Sequence, residues 1–152
     1  GRRAAATAPV IVKALNNPPP AFDRLGTRFD NAARLDSAGV PVAISSFDTH
    51  NARTLRLEAG NAVRYGLARD AALRAVTLAP AEALGVADTH GSLAPGKTAN
   101  VVVWSDDPFE PLTSVEHVFI GGTEMPDDSR QKRLLRRYDD RGDWPPAYDD
   151  GS

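Results

Sequence analysis

The chain has no cysteine and one methionine in 152 residues. Without thiols, disulfides, thiolate metal sites and a cysteine nucleophile are excluded, and the redox compartment stays open. An excess of charge of one sign is also missing. The 18 basic and 20 acidic side chains leave a formal net charge of −2, too weak a field to gather nucleic acid or an anionic membrane. No run approaches the roughly 18 consecutive apolar residues of a membrane-spanning helix. The opening GRRAAATAPVIVKAL is too short and weakly apolar for a signal peptide. No nucleic acid and no membrane partner are therefore expected, and the chain reads as soluble, in cytoplasm or periplasm. It opens on Gly1 rather than methionine, which fits a processed product or a piece of a longer gene. What is present, 41% hydrophobic and 25% charged residues, is the composition of a folded domain and not of a disordered one.

The apolar patterning predicts an α/β chain. Pro9 to Leu15 holds a short β-branched run suited to a strand buried on both faces. The prolines at 18–20 cannot extend it, because they lack amide donors. Phe22 to Ala38 carries Leu25, Phe29, Ala32, Ala33 and Leu35 at helical spacing, with Gly39 placed to end the helix. Val40 to Ser45 is a second apolar run, so the first third reads as strand, helix, parallel strand. Helices are expected from Thr54 to Leu67, from an Asp70 N-cap through Val76, and through Pro80 to near Gly85. Beyond Gly85, GSLAPGK supplies turn residues. Ala99–Trp104 and Glu116–Gly122 read as strands of a small sheet. From Pro126 onward one short surface helix around Leu134, Leu135 and Tyr138 is expected before a frayed tail that includes Trp144. No internal repeat supports a solenoid.

Four stretches, GVPVAISSFDTHNAR, EAGNAVRYGL, AALRAVTLAPAEALGV and GSLAPGKTANVVVWSDDPF, resemble the C-terminal part of the amidohydrolase superfamily, and within it the imidazolonepropionase-like amidohydrolases. The resemblance runs from about Val10 to about Arg137. It implies a partial (β/α)8 TIM barrel, contributed by its last βα units, plus part of a small appended β-sandwich. Residues 1–85 then belong to the barrel, 86–125 to the sandwich, and 126–152 to a surface helix and tail. The family chemistry it implies is hydrolysis of carbon–nitrogen bonds in small-molecule amides or cyclic amides, assisted by a divalent metal, most often zinc. A complete barrel takes ~250 residues, so activity is expected to need segments beyond this chain. The rival expectation is a noncatalytic module that docks on a complementary chain or on a second copy of itself, since unfinished sheets expose edges that pair.

Loops after the C-terminal ends of parallel strands are where barrel enzymes hold reacting groups, which singles out Ser45 to Arg53. In the resembled family an aspartate at the end of the last barrel strand ligates the metal and moves a proton from water. Asp48 is the candidate for both jobs, because a carboxylate ligates through oxygen and shuttles protons. The flanking register sets Phe47 at the family's usual aspartate position, and a shift of one residue restores Asp48. One residue reverses the face a strand side chain takes, so a structural role for Asp48 stays open beside the catalytic one. His50, Asn51 and Arg53 are candidates for orienting substrate; against this stands a plain helix start capped by Thr49 or Asn51. His90 and His117 lack ligand spacing with a second histidine or carboxylate and read as ordinary polar residues. GSLAPGK lacks phosphate-loop spacing, so Gly91 and Gly96 serve the turn and Lys97 is expected in solvent. The basic RQKRLLRR is flanked by aspartates and reads as a solvated face.

Overall fold

In a computed structural model of the protein, residues 9–14 and 28–139 are described. The proline run, the stretch 22–27, Leu15 and Trp144 lie outside them. The order is β1 (Val10–Val12), α1 (Asn31–Ser37), β2 (Val42–Ile44), a 3-10 turn (Ala52–Thr54), α2 (Leu55–Arg64), α3 (Arg69–Val76), α4 (Leu78–Ala83), β3 (Val101–Trp104), β4 (Val115–Ile120), β5 (Thr123–Glu124) and α5 (Arg130–Asp139).

β1 and β2 pair in parallel, with Val10, Ile11 and Val12 opposite Val42, Ala43 and Ile44, as the strand, helix, strand pattern requires. β2 is buried along its whole length, and all four helices α1–α4 touch it. β1 corrects an expectation: it is not buried on both faces, because Val10 and Ile11 are exposed and only Val12 enters the core. Among the described residues β1 has a sheet neighbour on one side alone. The predicted first helix is shorter than expected in its described part, starting at Asn31 after a turn in which Arg28 binds the Asp30 carboxylate through two nitrogens. Gly39 ends it with φ +74°. There the Gly39 N–H donates to the Asp36 carbonyl and the Val40 N–H to the Leu35 carbonyl, a closure that needs the left-handed conformation glycine tolerates.

The core is built largely of alanine. Ala59 and Ala62 of α2, Ala72 and Ala75 of α3, Ala79 and Ala81 of α4, and Ala32 of α1 are all buried, whereas Leu73 and Leu84 are exposed. Small side chains on the facing surfaces let helix axes approach closely, so burial here follows proximity more than side-chain size. Asp70 does not cap α3 as expected. Ala68 holds that position, and Asp70 lies within the first turn, where its negative charge still favours the positive end of the helix dipole. Pro80 sits in the first turn of α4, as expected.

β3, β4 and β5 form a separate antiparallel sheet, one strand larger than expected. The loop between β3 and β4 ties it to the helices. Phe109 is buried in the main core cluster. Arg56 of α2 donates to the carbonyls of Pro108, Glu110 and Pro111, at 3.3, 2.8 and 3.2 Å, and its guanidinium lies over the Trp104 ring. Arg69 of α3 binds Asp107 at 2.6 Å and faces the Phe109 ring. Gly60 lets this loop in: a Cβ there would stand 2.6 Å from the Phe109 carbonyl oxygen.

Two substitutions test the junction. Phe109→Ala is expected to cost roughly 3 kcal/mol in urea unfolding, by transfer and cavity terms. Gly60→Ala is expected to cost about 1–3 kcal/mol through overpacking against backbone. Unaltered unfolding midpoints in both variants would mean that the loop does not bear on the helices.

Candidate functional site

The parallel pairing brings the C-terminal ends of β1 and β2 side by side. Lys13 directly follows β1, and Asp48 lies four residues past β2. Their side chains meet, with Lys13 Nζ donating to Asp48 Oδ2 at 2.9 Å. Both are partly shielded, with side-chain exposures of 23% for Lys13 and 39% for Asp48. Lys13 was not among the candidates from sequence. Its signal was available, since a lysine ending one strand and an aspartate after its parallel neighbour share one end of a sheet.

The loop that presents Asp48 is braced by hydroxyls. Ser46 Oγ donates to the Asp48 carbonyl at 3.2 Å, and the Phe47 N–H donates to Ser45 Oγ at 3.1 Å. Side-chain bonds of this sort offer the backbone an alternative to strand pairing. Between the two serines' bonds Phe47 takes φ +53° with its ring 62% exposed. That conformation is uncommon for a residue with a Cβ and marks local strain. Phe47 is exposed, and Asp48 is the residue whose side chain meets Lys13 at the strand ends.

The remaining candidates separate. His50 is exposed but near enough to Asp48 to add a favourable field. Asn51 closes the turn through its backbone: its N–H donates to the Asp48 carbonyl, and its carbonyl accepts from the Thr54 N–H and hydroxyl. No side-chain cap bond forms at the start of either helical segment, so neither Thr49 nor Asn51 caps as expected. Arg53 faces elsewhere, into a groove of about 930 Å³ between α2–α4 and β3 that is lined by Leu55, Leu73, Leu78, Leu93, Val102 and Trp104 among others. Its walls are mostly apolar, with Arg56, Asp70, Arg74 and His90 also on the lining. The chemistry-bearing cluster is at Lys13, Asp48 and His50.

Elsewhere Lys97 corrects its expectation. It is not free in solvent but donates to the Ala87 carbonyl at 2.5 Å and to Ser92 Oγ at 2.7 Å, locking the turn in which Gly91 and Gly96 both have positive φ. His90 bonds Thr89 within an exposed turn. His117 meets Glu124 at 2.6 Å across the β4–β5 hairpin, a carboxylate neighbour that spacing alone did not reveal. Among the described residues no group of three or more His, Asp or Glu is disposed to hold a metal, and no helix is long and apolar enough to cross a membrane.

The hydrogen bond from Lys13, then its charge, hold the Asp48 carboxyl below the usual carboxylate range; burial opposes them, and the charge of His50 adds the smallest lowering effect. Asp107 is lowered likewise, by Arg69 first and by the Phe109 N–H second.

The sequence matches the amidohydrolase family over residues 10–125. The amidohydrolase tasK of Hapsidospora irregularis is 36% identical over 104 residues, 68% of this chain and 11% of that protein. The imidazolonepropionase of Paracidovorax citrulli is 37% identical over 110 residues, 68% of this chain and 25% of that protein. The chain thus spans a quarter or less of these two relatives. Among solved structures, an amidohydrolase from Thermotoga maritima superposes with a TM-score of 0.72 at 32% identity, covering 78% of this chain and 31% of that one. An adenosine deaminase from Xanthomonas campestris with bound zinc shares the fold, with a TM-score of 0.50 at 24% identity over 88% of this chain and 37% of that one.

The depressed carboxyls set the direction of the acid response. A carboxyl lowered in the folded state contributes stability that is complete above the unfolded value, about 4, and is lost as pH falls through the folded value. Carbon NMR titration is expected to find Asp48 below an ordinary aspartate in the native protein and back in the ordinary range in Lys13→Met. Unfolding midpoints of Lys13→Met are expected to fall less steeply than wild type on acidification below about pH 4. A wild-type Asp48 that titrates as an ordinary aspartate would refute the pairing in solution.

Proposed function

This chain belongs to the amidohydrolase family, and from that premise we propose that it serves the hydrolysis of a carbon–nitrogen bond in a small-molecule amide or cyclic amide. In this reading residues 1–85 are the last strand-helix units of a (β/α)8 barrel, 86–125 contribute to an appended β-sandwich, and 126–152 form a surface helix and tail. The observation that carries the reading is the placement of Asp48 at the C-terminal ends of two parallel strands, the end where barrel enzymes work.

Asp48 is the general base. Its carboxylate, kept ionised by Lys13, takes a proton from the water whose oxygen adds to the carbonyl carbon. The carbon–nitrogen bond then breaks, and the proton passes to the departing nitrogen. His50 is the nearer positioning group, and Asn51 shapes the turn that presents Asp48. Arg53, directed into the neighbouring groove, would bind a more distant part of the substrate, such as a carboxylate.

The family's divalent metal is a separate matter. A catalytic zinc takes about three protein ligands; the described residues bring one carboxylate to the strand ends, and Lys13 already holds one of its oxygens. The residues present do not fit the metal, and no step is assigned to it. Turnover then depends on groups beyond the described residues.

A second reading, a noncatalytic module docked on a complementary chain or a second copy, draws support from the exposure of Ile11, at 54%, on the outer strand of the two-stranded sheet. One assay separates the two. Amide and cyclic-amide hydrolysis is measured with this chain alone and with it combined with the N-terminal two-thirds of the Thermotoga maritima relative. The enzyme reading expects turnover only in the combination, with Asp48→Asn lowering the rate by about 10²-fold or more. Binding to that segment without turnover supports the docking module instead, and turnover unchanged by Asp48→Asn rejects the assigned base.

A further inference from the structure

We infer that Lys13 takes the place of a cation at Asp48: an ammonium, and not a divalent metal, is the positive partner of the strand-end carboxylate in this protein. The inference goes beyond the hydrolytic reading and does not need it.

Three observations converge. The first is geometric. Lys13 Nζ lies 2.9 Å from Asp48 Oδ2, with both side chains partly shielded from water. The parallel register that sets Val12 opposite Ile44 anchors the strand ends from which both residues project. A metal at Oδ2 would have to displace the ammonium. A metal at the other oxygen would sit within a few ångströms of it, where a charge of +1 repels one of +2, and partial shielding from water strengthens that repulsion.

The second concerns the donor set. Phe47, the residue in register with the resembled family's aspartate, carries no donor atom and turns its ring outward at 62% exposure. No group of three or more His, Asp or Glu gathers among the described residues. The third is the loop itself: the Ser45 and Ser46 hydroxyl bonds and the left-handed backbone at Phe47 hold Asp48 toward Lys13. A strained conformation persists only where its surroundings over-determine it. The lowered carboxyl agrees with this arrangement.

The test is a manganese(II) titration followed by paramagnetic broadening of the backbone amides of residues 46–50, in wild type, Asp48→Asn, Lys13→Met, Lys13→Gln and the double variant Lys13→Met with Asp48→Asn. Wild type is expected to broaden no more than Asp48→Asn. Both Lys13 variants are expected to broaden at manganese concentrations at least about tenfold lower, an energy of ~1.4 kcal/mol, and the double variant to lose that gain. Asp48-dependent broadening of wild type at the concentrations that broaden Lys13→Met overturns the inference. So does the absence of any gain in the Lys13 variants. The amide dispersion of β2 reports whether each variant is folded, and the wild-type comparison with Asp48→Asn decides the matter even where a Lys13 variant is not. Because the readout is metal occupancy and not turnover, its failure leaves the hydrolytic reading intact, and a failure of hydrolysis leaves this result intact.

Discussion

Burial of β2 is the constraint on which the rest of the structure depends. Three residues, Val42, Ala43 and Ile44, are enclosed along their length, pair with β1 on one side, and meet α1, α2, α3 and α4. A buried strand must satisfy its backbone donors and acceptors inside the protein, and parallel pairing with β1 does so along one edge of β2 while aligning the ends of both strands. The consequence for chemistry is immediate, because alignment sets Lys13 and Asp48 at the same end and within a hydrogen bond of each other. A slip of one residue in either strand would turn one of them to the opposite face.

The small sheet depends on a different interaction. Its own strands are short and largely exposed, which is a poor basis for independent stability. What ties it to the helices is the loop 105–113, whose Phe109 side chain enters the helical core and whose carbonyls receive the Arg56 guanidinium. Arginine suits this task because its planar fork reaches several oxygens from one position, and its face can rest on an aromatic ring at the same time. The groove beside this junction follows from it, since β3 is held near α2–α4 at one end and stands apart from them along the rest.

Electrostatics at the strand ends give Asp48 a character unlike that of a solvated carboxylate. Lys13 and His50 both favour its ionised form, so it carries its charge over the whole neutral range and acts as a weaker base than an ordinary aspartate. The same field disfavours further positive charge nearby. The parallel pairing brings the two strand ends together, and the side chains there set the local field.

Much of the architecture was legible in the residues. Apolar runs at Pro9–Leu15 and Val40–Ser45, separated by a loop and a helix, implied a parallel pair, and the pair is parallel; Gly39 marked the end of α1, and it adopts the left-handed conformation. Local periodicity and backbone sterics determine such features, so sequence alone suffices. Asp48 was legible as a candidate, although its direction was not, because one residue of register decides which face it takes. Its partner Lys13, 35 positions away, the meeting of His117 with Glu124, the Arg56 and Phe109 junction and the preference for alanine over leucine in the core were all decided by tertiary structure. Each depends on the distance between segments far apart along the chain, which only packing establishes.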